Sequence, residues 1–220
     1  MKKILCFNGS PRKNGNTSHL LKSFVLGVDE STALCEVIDV SEKNIKYCTG
    51  CLRCNVLGYC SLRDDDWKEI SKKIDESDVL VFATPVYFHH VSAQLKTLLD
   101  RFRSFIKIKI TEDGLEHTPR KIWNKDIVLL LVMGSSDDVD ADPIIDLFNF
   151  MIEIMGPDSR LHVLKGTRLA VTMQVAMNAE NLKKLYEKLG LEISLAENDA
   201  ETNKQLLKSA YNLAQKLSMS

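Results

Sequence analysis

The chain has 220 residues, enough for one domain with a large core that needs no covalent staples. Its 29 basic and 30 acidic residues give a formal net charge of −1, so nothing electrostatic favours nucleic acid or an anionic membrane as partner. No apolar run approaches the length of a membrane span, and the apolar run at the N-terminus is too short for a signal peptide. We therefore expect a cytoplasmic protein whose thiols stay reduced.

Short apolar runs alternate with helical patterns along the chain. The predicted strands are KILCF (3–7), ALCEVIDV (33–40), VLVFATP (79–85), DIVLLLVMG (126–134) and one within 160–172. The first predicted helix begins near Ser18, and the later ones cover 67–77, 91–102, 143–155, 180–189 and 201–217. Strands that are apolar throughout and alternate with helices are typical of a parallel sheet buried on both faces. The pattern therefore predicts an α/β fold, with Cys6 and Cys35 in its core.

Three loops follow predicted strands at the edge where open parallel sheets bind ligands. The first, FNGSPRKNGNTS (7–18), is neither a Walker A loop nor a GxGxxG fingerprint. It instead places hydroxyl, amide and guanidinium donors beside a helix N-terminus: Ser10, Arg12, Asn14, Asn16, Thr17 and Ser18. Such a loop suits a phosphate monoester, and the alternative is an ordinary polar turn that caps a helix.

The second loop carries an apolar and aromatic run after the third strand: Thr84, Pro85, Val86, Tyr87 and Phe88. Tyr87 and Phe88 suit the wall of a site for a flat heterocycle, although they would also serve simply to cap the sheet. His89 and His90 follow, and exposed loop histidines are more often polar surface than ligands. Ser135, after the fourth strand, is a weaker candidate for the same site.

The segment KYCTGCLRCNVLGYC (46–60) holds four cysteines, Cys48, Cys51, Cys54 and Cys60, with spacings of two, two and five residues. Zinc sites usually pair two ligand knuckles from separated segments, whereas this local crowding is typical of iron–sulfur proteins. A zinc site, a thiol or disulfide role, and no function at all remain the alternatives.

Two of these segments resemble signatures of the flavodoxin-like NAD(P)H-dependent FMN reductases. GSPRKNGNTS (9–18) resembles the phosphate loop of that family. TPVYFHHVSAQLKTLLDR (84–101) resembles its second signature, in which a P-x-Y segment approaches the flavin and a Ser-x-x-Leu-Lys helix follows; the His89-His90 pair departs from it. The cysteine motif between them resembles the iron-sulfur flavoprotein branch, C-x2-C-x2-C-x4–7-C. The resemblance covers residues 1–105 well and the second half by architecture only.

This resemblance implies a flavodoxin-like fold with a five-stranded parallel sheet and FMN as cofactor. It also implies a [4Fe–4S] cluster on the four cysteines, a ferredoxin or NAD(P)H as electron donor, and a small-molecule acceptor. Because the cofactor carries the chemistry, we expect no essential acid–base side chain. The alternative interpretations are a cluster-free NAD(P)H-dependent FMN or quinone reductase and a non-enzymatic flavodoxin-like electron carrier.

The sequence further predicts one domain over 1–220 with three additions. These are a cysteine loop at 44–63, an insertion near 106–124 and a C-terminal helical extension over about 180–220. The resemblance implies a homodimer or homotetramer in which FMN and cluster sites meet across subunits. The insertion and the extension are therefore candidate interface elements.

Overall fold

Five parallel strands form the central sheet of the computed structural model, which describes residues 1–219. Residues 1–219 contain seven strands in all, two of which lie outside this sheet. In chain order the seven strands are Lys2–Asn8 (β1), Ala33–Asp39 (β2), Val79–Pro85 (β3), Ile106–Thr111 (β4), Gly114–Pro119 (β5), Asp126–Val132 (β6) and Arg160–Gly166 (β7). The sheet has the order β2-β1-β3-β6-β7, and every neighbouring pair is parallel. β4 and β5 form a separate antiparallel hairpin.

Helices cover both faces of this sheet. They are Asn16–Leu26 (α1), Cys54–Leu57 (α2), Trp67–Glu76 (α3), Ala93–Arg101 (α4), Asp142–Met155 (α5), Ala179–Leu189 (α6) and Ala196–Met219 (α7). α3, α4 and α5 pack against one face, whereas α1 and α7 pack against the other. The predicted flavodoxin-like fold, with five parallel strands and helices on both faces, is confirmed.

The central strands β3 and β6 are almost entirely apolar because both of their faces are covered. All seven residues of β6 are buried, and alternate residues enter the two opposite cores. Leu129, for example, faces the core under α3–α5, while Leu130 faces the core under α1 and α7. Cys6 of β1 is fully buried as expected. Cys35 is not: the expectation was wrong because β2 is an edge strand and leaves this side chain half-buried.

The C-terminal helices differ in what they contact. α7 begins at Ala196, five residues before the predicted start, and buries Leu206, Ala210 and Leu217 in the core that it shares with α1. A Cβ at Gly27, which ends α1, would lie 2.2 Å from the Tyr211 carbonyl oxygen, so the two helices approach closely there. α6 packs on α7 in a small cluster of its own. Among residues 1–219, no helix is apolar enough over sufficient length to cross a membrane.

Candidate functional site

The loops that follow β1, β3 and β6 lie side by side, because these three strands are neighbours in the sheet. The chain leaves β1 toward β2 on one side and returns to add β3, β6 and β7 on the other. This reversal between β1 and β3 opens a crevice at the carboxyl ends of the strands, which is where ligands bind in doubly wound sheets. The fold therefore brings the three candidate loops of the sequence to one edge.

The first loop is organised by Asn8, the last residue of β1. Its side-chain amide donates to Asp39 Oδ1 at 2.7 Å and to Ser18 Oγ at 3.1 Å. The Asn8 side-chain oxygen accepts from the Ser10 backbone N–H at 3.2 Å. Ser18 Oγ in turn donates to the Arg12 carbonyl at 3.0 Å, so the loop is closed onto the first turn of α1.

The N-terminus of α1 carries no side-chain cap. Gly15 occupies the cap position, and no side chain accepts from the first-turn N–H groups there. Uncapped N–H groups and the positive end of the helix dipole favour an anion. Ser10 and Thr17 are buried beside this end, whereas Arg12 and Asn14 are exposed at the rim. This end of α1 therefore fits a phosphate group.

Asn16 has a different role from its neighbours. Its side-chain amide donates to the carbonyls of Leu169 at 2.9 Å and Val171 at 2.8 Å. Its side-chain oxygen accepts from the Val175 backbone N–H at 3.0 Å. These bonds tie α1 to the loop after β7, so the Asn16 side chain positions the N-terminus of α1.

The second loop is tied to the first through Ser92. Ser92 Oγ caps α4 by accepting from the Leu95 N–H, and it donates to the Gly9 carbonyl at 2.6 Å. The Ser92 N–H donates to Thr84 Oγ1 at 3.1 Å, so the Thr84 hydroxyl holds the loop together. Val86 is fixed by its N–H, which donates to the Val132 carbonyl at 2.8 Å.

The tip of the second loop is a tight turn from Tyr87 to His90, closed by two backbone hydrogen bonds between these residues. Phe88 and His89 both have positive φ, of 49° and 60°, a backbone conformation that is costly for residues other than glycine. The turn leaves Pro85 and Val86 half-buried and Phe88 completely exposed, at 101% of its reference area. An apolar and aromatic rim thus lines this side of the crevice.

The third loop contributes less. Ser135 Oγ accepts from the Asp137 N–H at 3.0 Å, and its carbonyl accepts from the Arg168 N–H. His89 Nδ1 lies 3.5 Å from Asp140 Oδ1, so the second and third loops meet at this point. His90 forms backbone hydrogen bonds with Tyr87 in the turn.

The cysteine loop follows β2 and turns back on itself repeatedly. Gly50, Leu52 and Gly58 all have positive φ, and Gly58 ends the single turn of α2 by donating its N–H to the Cys54 carbonyl at 3.1 Å. Glycine adopts this conformation without strain, which explains two of the three bends. The loop can therefore bring side chains that are close in sequence to face a common space.

That space is a cavity of about 120 Å³ lined by all four cysteines of the motif. Cys54 is buried, Cys48 and Cys60 are half-buried, and Cys51 is exposed. The Arg53 backbone N–H and then the Ser61 hydroxyl donate to the sulfur of Cys51 and lower the pKa of its thiol. The predicted cysteine ligands thus share one site.

Arg101, the last residue of α4, enters the same cavity wall. Its guanidinium is buried and forms an ion pair with Asp65, whose side chain is also buried. It also donates from Nη1 to the Lys46 carbonyl at 2.7 Å and from Nη2 to Cys60 Sγ at 3.4 Å. The guanidinium carbon lies 5.2 Å from the centre of the Trp67 ring.

Two further arginines hold the other side of the loop. Arg103 donates to Asn55 Oδ1 at 2.8 Å and from Nη1 to Cys54 Sγ at 3.7 Å. Arg120 donates from Nε to the Ser104 carbonyl at 2.8 Å and from Nη2 to the Cys54 carbonyl. Asn55 also pairs with the backbone of Ile108, which docks the loop on the hairpin.

Zinc ions and iron–sulfur clusters are two metal groups that cysteine thiolates bind. Zinc requires its ligands around one point at about 2.3 Å from the ion. Within residues 1–219, no three His, Cys, Asp or Glu side chains gather in that way. An iron–sulfur cluster is held by cysteine thiolates, and four cysteines line this cavity. Four cysteine sulfurs, two of which have guanidinium groups beside them, match the ligand type and the charge of an anionic iron–sulfur cluster.

The sequence patterns did not indicate Asp65, Arg101, Arg103 or Arg120 as part of this site. The available signal is the segment RFRSF (101–105), which begins at the last residue of α4 and in which arginines alternate with aromatic residues that the core buries. An arginine in such surroundings needs an acceptor, and the carbonyls, carboxylate and sulfurs of the cysteine loop provide it.

The strand order and the crevice between β1 and β3 define a flavodoxin-like protein. The chain belongs to the NADPH-dependent FMN reductase family, whose pattern matches residues 2–159. The predicted superfamily is thereby confirmed.

Among similar proteins, an iron-sulfur flavoprotein of Archaeoglobus fulgidus is 43% identical over 131 residues, 60% of this chain and 56% of that protein. The iron-sulfur flavoprotein MJ1083 of Methanocaldococcus jannaschii is 41% identical over 101 residues, 46% of this chain and 52% of that protein. The matches thus span only about half the length of these curated relatives. An NAD(P)H:quinone oxidoreductase of Methanothermobacter marburgensis shares the fold, with a TM-score of 0.62, 16% identity and coverage of 99% and 98% of the two chains.

Proposed function

We propose that this chain is an FMN-dependent oxidoreductase of the iron-sulfur flavoprotein type. It binds FMN at the carboxyl edge of β1, β3 and β6, and a [4Fe–4S] cluster through the four cysteines of the loop at 44–63. The observation that carries the proposal is the shared cavity of Cys48, Cys51, Cys54 and Cys60. Family membership and the two curated relatives that are named iron-sulfur flavoproteins support it.

The first loop would hold the FMN phosphate. The first-turn N–H groups of α1 bind the anion, Ser10, Thr17 and Ser18 supply hydroxyls, and Arg12 and Asn14 close the rim. Asn16 positions this helix end through its bonds to the loop after β7.

The second loop would hold the flavin ring. Pro85, Val86, Tyr87 and Phe88 form the apolar wall, with Ser135 at the far rim. The bonds of Ser92 to Thr84 Oγ1 and to the Gly9 carbonyl hold this loop beside the first loop. No acid–base side chain is assigned, because the cofactors carry the chemistry.

When both groups are bound, FMN exchanges a hydride or two single electrons and the cluster carries one electron at a time. The chain then connects a donor of paired electrons with a one-electron carrier. NAD(P)H or a ferredoxin is the proposed donor, a small molecule or carrier the acceptor, and a homodimer or homotetramer the assembly.

The first test is anaerobic purification with iron, sulfide and FMN assayed per chain. We expect about four irons, four sulfides and one FMN. Cys51→Ser should remove the iron and spare FMN, whereas Cys35→Ser, which lies in β2, should leave both in place. FMN without iron or sulfide in the anaerobic protein would overturn the cluster assignment, and the absence of FMN would overturn the whole proposal.

A cluster-free NAD(P)H-dependent FMN reductase is the second candidate. It is favoured by the spread of the four sulfurs, which in residues 1–219 form no compact group of metal ligands. Rapid bleaching of the flavin by NADPH in a protein that contains no iron would establish this alternative.

A further inference from the structure

We propose that Arg101 and Arg103 are positioning residues of the cluster site that stabilise its reduced form. They donate to the sulfurs of Cys60 and Cys54, and so orient two of the four ligands and raise the reduction potential of the cluster. This inference rests on the proposed function, and it concerns residues outside the cysteine motif itself.

Arg101 is placed for this role by several restraints at once. It is only 1% exposed, and its ion pair with Asp65 and its bond to the Lys46 carbonyl fix the guanidinium plane. Nη2 of that plane meets Cys60 Sγ at 3.4 Å, while the buried Nε has no hydrogen-bond partner among the described residues. Asp65 therefore acts on the ligand through Arg101, as carboxylates behind the ligands do in other metal sites.

Arg103 makes the equivalent contact on the opposite side of the loop. Its Nη2 donates to Asn55 Oδ1 and its Nη1 to the Ile106 carbonyl, which hold the group beside Cys54 Sγ at 3.7 Å. Cys54 and Cys60 thus each face a permanent positive charge. The two arginines differ in burial, since Arg103 is only half-buried.

The electrostatic consequence follows from charge. Thiolate ligands make the whole cluster anionic, and reduction adds one more negative charge. A guanidinium beside a ligand sulfur attracts the reduced form more strongly than the oxidised form, and its N–H bond withdraws electron density from the sulfur. Both effects shift the reduction potential to a more positive value.

The competing explanation is purely structural. The pair of Arg101 and Asp65 would anchor α4 to the cysteine loop whether or not a cluster is bound, so a variant of Arg101 alone would not separate the two roles. Arg103 is the sharper test, because its half-buried side chain leaves no buried carboxylate behind when it is replaced.

The experiment compares the anaerobically purified wild type with Arg103→Met, Arg103→Lys and Arg101→Lys. Arg63→Met is the matched control, an exposed arginine of the same loop. Iron, sulfide and FMN are assayed per chain, the thermal midpoint is recorded, and the cluster potential is measured by a redox titration followed by electron paramagnetic resonance.

We expect Arg103→Met to keep FMN while its cluster potential moves to a more negative value. Its thermal midpoint should fall modestly, because Asn55 Oδ1 and the Ile106 carbonyl lose a donor. In Arg103→Lys the potential should lie between those of Arg103→Met and the wild type, because lysine restores the charge but not the planar guanidinium. In Arg101→Lys the potential should also move to a more negative value. Loss of iron in Arg103→Met that Arg103→Lys restores would also support the proposal.

A fully loaded Arg103→Met protein with the wild-type potential would overturn the inference and leave the proposed function standing. The inference also fails if Arg103→Met loses iron together with thermal stability and Arg103→Lys restores neither, or if Arg63→Met gives an equal shift. A wild-type protein without iron and sulfide would overturn the proposed cluster and this inference together.

Discussion

The carboxyl edge of the sheet and the cysteine loop are held in place by different kinds of structure. The loops after β1 and β3 follow directly from buried strands, and short bonds such as that from Ser92 Oγ to the Gly9 carbonyl connect them. The cysteine loop has one turn of helix and three residues with positive φ within 44–63, and long side chains from Arg101, Arg103 and Arg120 support it. The first site is therefore a product of the fold, whereas the second depends on a few individual residues.

The largest expected effect comes from the buried ion pair of the cysteine loop. Asp65→Asn removes the countercharge of a fully buried guanidinium, so we expect the free energy of unfolding to fall by about 3–5 kcal/mol. Urea denaturation measures it. Asp64→Asn is the matched control: Asp64 is exposed with φ of 59°, which asparagine tolerates well, so its change should stay within about 0.5 kcal/mol.

An intermediate effect is expected at the carboxyl edge of the sheet. Asn16→Ala leaves two carbonyls and one N–H of the loop after β7 without their partners, which should cost about 1–3 kcal/mol of unfolding free energy in the FMN-free protein. The neighbouring Asn14→Ala, at an exposed position, should cost less than about 0.5 kcal/mol. Equal stability of the two variants would mean that the Asn16 bonds do not support the loop.

The third effect, which appears only at alkaline pH, lies at the opposite edge of the sheet, away from both sites. Burial, and then the nearby charge of Lys121, lower the pKa of Lys125 to about 8, against the opposing influence of Asp75 and Asp78. The unfolded chain therefore holds this proton more tightly than the native protein, and stability should rise as the pH increases from about 8 toward the unfolded pKa.

Thermal midpoints measured across that alkaline range test this assignment. Lys125→Met should lose this part of the rise while the rest of the pH profile keeps its shape. A variant whose profile rises as steeply as the wild type would show that another group is responsible.

Much of the fold could be predicted because its signals are local. Uninterrupted apolar runs such as that of β6 report burial on both faces, and their alternation with helical patterns leaves few topologies. The hydroxyls and amides of the first loop, and the spacing of the four cysteines, are visible in the same way.

The remainder depends on contacts between distant residues. No sequence pattern indicates that the Asn16 amide donates to a carbonyl 153 residues further along the chain instead of facing the crevice. Nor does it show that Arg101 finds its carboxylate 36 residues earlier. The half-buried state of Cys35 depends on strand order, because only the sheet topology makes β2 an edge.

Helix α4 has one end in each of the two sites. Ser92 caps it beside the first and second loops, and Arg101 ends it at the cysteine cavity, about 14 Å away along the axis at 1.5 Å per residue. The helix therefore sets the rotational phase between the sites. One inserted residue would turn everything beyond it by about 100° and swing Arg101 out of the cavity, while the cap at Ser92 stayed where it is. The number of residues in α4 is therefore constrained in any chain that places these two sites at the two ends of this helix.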